Sequence, residues 1–66
     1  MERLDKEYII ISIDNADHET YDYSNNRNRA LKFAKDIQDF YKHIIVKEIS
    51  YSLVGNYEVQ KVIWEK

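Results

Sequence analysis

Sixty-six residues with no cysteine, no proline and a single glycine exclude a disulfide scaffold, a thiolate metal site and a glycine-rich phosphate loop. A net charge of −2, from 10 basic and 12 acidic residues, lacks the basic excess of a general nucleic-acid binder. The longest apolar runs, Ile9–Ile11 and Ile44–Val46, are too short to span a bilayer.

The opening MERLDKEY is charged and contains no apolar run of signal-peptide length. One soluble, cytoplasmic domain over residues 1–66 is the expectation. A chain this short buries only about 60% of its unfolded surface. Association with a second copy or with another protein is then the support left most open.

In chain order, KEYIIISID is rich in β-branched residues and ETYDY alternates, so both read as strands joined by the polar turn NADH. A helix follows, capped at Ser24, Asn25 or Asn26 and ending near Lys42. Ala30, Leu31, Phe33, Ala34, Ile37, Phe40 and Tyr41 recur at the helical period and form its apolar stripe. IIVKEISYSLV and YEVQKVIWE then flank Gly55-Asn56 as a second hairpin. The fold expected is α+β, a four-stranded antiparallel sheet in the order ββαββ with one helix packed on one face. The first strand is apolar on both sides and should be central, which gives the spatial order 2-1-3-4.

Residues two apart in a strand share a face. Odd positions hold Ile9, Ile11, Ile13, Tyr21, Tyr23, Ile45, Ile49, Tyr51, Leu53, Tyr57, Val59 and Ile63, so the odd face is expected under the helix. Ile13 is expected opposite Tyr21, and Leu53 opposite Tyr57 across a three-residue turn at Val54-Gly55-Asn56, with a two-residue Gly-Asn turn and Leu53 opposite Glu58 as the alternative. With the three-residue turn Val46 lies opposite Trp64. On that reading Ile44, Val46, Val62 and Trp64, joined by Tyr8 and Ile10, form an apolar patch on the face without the helix. Ile10, Ile44, Val46, Val62 and Trp64 are accordingly the candidate protein interface.

Arg27 and Arg29 stand at the start of the helix, where the backbone favours anions, and make a candidate anion-binding site. On the helical wheel they flank the apolar stripe on opposite sides. Asp22, Glu58, Asp5 and Glu7 are the acids within their reach. The acidic turn, with Asp14, Asp17 and Glu19, lies at the other end of the helix and lacks calcium-loop spacing. His18 and His43 cannot be placed beside a nucleophile. Catalysis, a cofactor and a metal are not expected.

The stretch SNNRNRALKFAKDIQDFYKHIIVKEISYSL resembles a pattern seen in short orphan proteins of low-GC Gram-positive bacteria and their phages. In these, a polar helix start and an ALKFAK-like amphipathic helix lead into a Val/Ile-rich strand. The resemblance covers about half the chain and brings no site residues with it. It implies a small non-enzymatic protein that binds a host or defence protein and blocks it by occlusion, as some of those proteins do. A homodimer or a protein partner is expected, without a membrane. The alternative is a small nucleic-acid-binding module using the basic helix start. Tyrosines on an open sheet could stack bases, but the odd-face reading places most of them beneath the helix.

Overall fold

The computed structural model describes residues 4–52 and 57–66. Strand β1 spans Leu4–Ile13 and β2 spans Glu19–Ser24; helix α1 covers Arg27–Ile37 and a short 3-10 turn covers Gln38–Phe40. Strand β3 spans His43–Ser52 and β4 spans Tyr57–Glu65. The strands form one antiparallel sheet in the order β2-β1-β3-β4. This is the expected α+β, ββαββ architecture, with the doubly apolar β1 in the interior.

The helix starts where its cap chemistry dictates. Asn26 has extended backbone angles (φ −124°, ψ 121°), and its side-chain oxygen accepts from the Arg29 N–H at 3.0 Å. Ser24 Oγ accepts from the Asn26 N–H and donates to the Asn26 carbonyl, both at 3.1 Å. The far end is closed by the residue that follows β4. Lys66 Nζ donates to the carbonyls of Gln38 and Tyr41, groups that a helix end otherwise leaves unpaired.

The helix lies on the even-numbered face, which corrects the odd-face expectation. Tyr8, Ile10, Ser12, Ile44 and Val46 are buried beneath Ala30 and Ala34, with Leu31, Ile37, Tyr41, Ile63 and Trp64 packed around them. The alanines are small, so the helix can settle closely onto Tyr8, Ile10, Ile44 and Val46 of the sheet. Phe40, expected on the stripe, is 76% exposed. The 3-10 turn advances about 120° per residue instead of 100° and carries it off the helix's inner side.

Registers differ from expectation in two places. Ile13 pairs with Glu19, and Tyr21 with Ile11. Faces are preserved, but the loop is two residues shorter, because Asp14 organises it. Its Oδ1 accepts from the N–H groups of Ala16 (2.8 Å) and His18 (3.0 Å). Asp17 takes the left-handed position, at φ 64°, that a turn without glycine must give to a tolerant residue. In the second hairpin Val46 does pair with Trp64, but Lys47 pairs with Val62. Ile63 is the extra residue of a β-bulge. The bulge lets Ile63 and Trp64 both turn to the core and sends Val62 to the opposite face. Tyr57 pairs with Ser52, not with Leu53 as expected; the turn at Val54-Gly55-Asn56 lies outside the described residues.

Ser12 Oγ is fully buried without a hydrogen-bond partner among the described residues. An unmet buried hydroxyl costs on the order of 1–3 kcal/mol. Ser12→Ala should therefore leave the fold intact and raise its unfolding free energy by about 1 kcal/mol, read from the urea midpoint at unchanged slope. A loss of more than 1 kcal/mol would show that the hydroxyl is satisfied.

Candidate functional site

The interface residues expected from sequence are split by the fold. Ile10, Ile44 and Val46 lie in the core, fully or almost fully buried, and Trp64 packs against that core half-buried. None of these four belongs to the helix-free face. Val62 alone does, at 49% exposure.

That face is built from the other parity of β1 and β3. Ile9, Ile11 and Ile13 run along β1, flanked by Tyr23, Tyr21 and Glu19 on β2 and by Lys47, Ile45 and His43 on β3. Ile49 and Tyr51 continue β3, with Val62, Gln60 and Glu58 beside them on β4. The isoleucines of β1 and Ile45 are half-buried, whereas Tyr21 is about half exposed and Tyr23 is 63% exposed. The result is an apolar belt edged by aromatic rings. Sequence parity grouped most of these residues correctly but assigned the group to the wrong side of the sheet.

The carboxylates around this belt have hydrogen-bonding side chains beside them. Tyr51 Oη donates to Glu7 at 3.3 Å, and Tyr21 Oη donates to Glu19. Gln60 Nε2 donates to Glu58 at 2.7 Å, and His43 Nε2 lies 2.7 Å from Glu65. The hydrogen bond to Glu19 pushes the Tyr21 hydroxyl above its ordinary value, helped by the carboxylate's charge. Tyr51 is also raised, first by desolvation and then by the charges of Glu7 and Glu58. A shallow groove of about 350 Å³ opens at this end, lined by Lys6, Glu7, Tyr23, Ser24, Asn25 and Tyr51.

Arg27 and Arg29 diverge as the helical wheel implies. Arg27 Nη1 lies 3.7 Å from Glu48 Oε2, a partner outside the set expected. Glu48 is on the helix-side face, where Tyr8 Oη donates to it at 3.3 Å and Lys6 Nζ lies 3.6 Å away. Arg29 instead lines a groove of about 330 Å³ between α1 and β2, with Asp22, Tyr23 and Phe33. The structure does not bring the two guanidinium groups to one point.

The acidic turn sits beside the helix C-terminus, as its place in the chain requires. Lys42 donates to Asp17, and the Lys42 N–H bonds the Ile13 carbonyl. Among the described residues no group of three or more His, Asp or Glu side chains is arranged to hold a metal ion. The His18 N–H, above all, holds the Asp14 carboxyl below its usual value, with the Ala16 N–H and the charge of His18 adding to the effect. A lowered folded value means that the stabilisation is complete above the unfolded value, about 4, and is lost as pH falls through the folded one. Amide exchange at Ala16 and His18 should therefore accelerate, beyond its intrinsic pH dependence, as pH drops below about 4. Protection that stays constant down to pH 2 would contradict this.

No helix of the described residues is long and apolar enough to cross a membrane. Comparison with protein-family models, curated proteins and solved structures finds no match to this chain.

Proposed function

We propose that the chain is a small, non-enzymatic protein-binding module that acts by occluding its target, with the helix-free face of the sheet as its contact surface. The observation that carries this reading is the contiguous belt of Ile9, Ile11, Ile13 and Ile45 edged by exposed Tyr21, Tyr23 and Val62. Partly exposed isoleucines gain by being covered, and tyrosine is among the residues that dominate binding energy when enclosed. Action on a host or defence protein of a low-GC Gram-positive bacterium follows from the resemblance of the helix-to-strand segment.

The test is retention of protein from an extract of such a bacterium on the immobilised chain. Tyr21→Ala with Tyr23→Ala removes two exposed rings and should leave the melting temperature within a few degrees. The wild type is expected to retain a discrete protein that the double variant loses by tenfold or more. Equal retention by both chains would discard this face.

Nucleic acid is the second reading. Tyr21, Tyr23 and Tyr51 all stand on the open face, which favours base stacking. Glu7, Glu19, Glu58 and Glu65 on the same face oppose it, because they repel the phosphates on which such binding depends.

A further inference from the structure

We propose that the helix-free face is built to receive a cationic amphipathic helix of a partner protein, apolar along its middle and basic at both ends. This rests on reading that face as a docking surface.

The charge of the face is one-sided. Among the residues whose side chains are described, Glu7, Glu19, Glu58 and Glu65 share it with a single lysine, Lys47, in a chain whose total charge is only −2. The other side carries Arg27, Arg29, Lys32 and Lys35 of the helix together with Lys6 and Lys61 of the sheet. There two carboxylates meet cations: Glu48 lies within 4 Å of both Lys6 and Arg27, and Asp36 lies 3.1 Å from Lys32. On the helix-free face the four glutamates have Tyr51, Tyr21, Gln60 and His43 as neighbours. Tyrosine and glutamine donors fix a carboxylate in place without cancelling its charge. Among the described residues no lysine or arginine lies within 4 Å of these carboxylates, and His43 stands beside Glu65 alone.

Their placement matches a helix. Glu7 and Glu58 stand at one end of the apolar belt and Glu19 and Glu65 at the other. Six residues of β1 separate the Glu7 and Ile13–Glu19 rows, about 20 Å, the length of roughly 13 helical residues. A flat sheet side already accommodates α1 on its other face. The molecule measures 44 × 21 × 14 Å, so one broad side approaches the roughly 800 Å² per partner that a standard interface buries.

The same charges argue against the other occupants. A two-fold pairing of this face with itself would enclose eight glutamates and two lysines, because such an interface sets one patch against its copy. A nucleic acid would bring phosphates to the same carboxylates.

The experiment uses the ¹⁵N-labelled full chain and two synthetic helical peptides of about 16 residues. One has a leucine stripe with lysines at both ends; the other is identical except for glutamates in place of the lysines. The lysine peptide is expected to shift the amides of Ile9, Ile11, Tyr21, Tyr23, Lys47 and Val62. Its affinity should fall at least tenfold in the Glu7→Gln, Glu19→Gln, Glu58→Gln, Glu65→Gln chain, and steeply with added salt. The glutamate peptide should leave the face unshifted.

Equal binding of both peptides to this face would overturn the cationic assignment and leave the docking reading standing. A response confined to the helix side would overturn it as well. So would a dimer in sedimentation that Tyr23→Glu dissociates, or shifts of these amides by oligo-dT. Silence of the face toward both peptides also overturns it; whether the docking reading falls too is then decided by the retention experiment with the tyrosine variants.

Discussion

Ile10→Ala should leave the chain close to the edge of unfolding at room temperature. Ile10 is 1% exposed and lies between the helix alanines and Val46 of β3. Truncating such a residue costs about 2–5 kcal/mol. A domain of this length has on the order of 3–10 kcal/mol in total. Burying the apolar surface of one isoleucine is thus a large part of what holds the helix to the sheet. Urea titration followed by the fluorescence of Trp64, which packs against the same core, reads the change directly. The neighbouring position is the control. Ile11 points to the other face, and Ile11→Thr keeps the β-branch that a strand favours. It should cost no more than about 1 kcal/mol. The reverse ranking would mean that the helix covers the odd face after all.

Glu48→Ala should be the most damaging change of a charged residue. The Glu48 side chain is only 12% exposed and brings together Lys6 of β1, Arg27 of α1 and the Tyr8 hydroxyl. Removing the carboxylate leaves the hydroxyl of a buried tyrosine without that acceptor and takes the counter-charge from two cations. The cations are about half exposed, so water screens most of their loss. The cost expected is therefore about 1–3 kcal/mol, most of it from the unmet hydroxyl. A double-mutant cycle with Tyr8→Phe isolates that contribution. If Glu48→Ala costs the same in the Tyr8→Phe background as in wild type, the hydrogen bond contributes nothing.

Much of the fold is written in local signals. Asn26 caps because its oxygen reaches the Arg29 amide, and β1 is interior because Tyr8 to Ile13 is apolar on both sides apart from Ser12. The face that takes the helix is not written that way. In β1 and β3 both parities are apolar: Ile9, Ile11, Ile13 and Ile45 on one side, Tyr8, Ile10, Ile44 and Val46 on the other. Counting cannot separate them. Parallel strands joined by a helix are held to a right-handed crossover, which selects a side of the sheet, and β2 and β3 are such a pair across β1. That rule does not say which parity the side corresponds to. Polar residues did not break the tie, because Lys6, Ser12, Asp22, Glu48 and Ser50 lie on the even face as Glu7, Glu19 and Lys47 lie on the odd one. The bulge at Ile63 was hidden for another reason. Val62, Ile63 and Trp64 are three apolar residues in a row, and strict alternation cannot place all three.

The central position of β1 also shapes how the chain finds this structure. Its neighbour β3 is separated from it by β2 and the helix, and Ile13 meets His43 only after about thirty intervening positions. A loop of that length must close before the core residues Ile10 and Val46 can touch. Sheets assembled from such distant partners fold more slowly than helical bundles, whose contacts are local. Until closure, β1 presents an unpaired edge rich in isoleucine, the kind of template that recruits other chains. The rate of joining β1 to β3, more than the stability of the finished sheet, then sets how long each newly made molecule is exposed to aggregation.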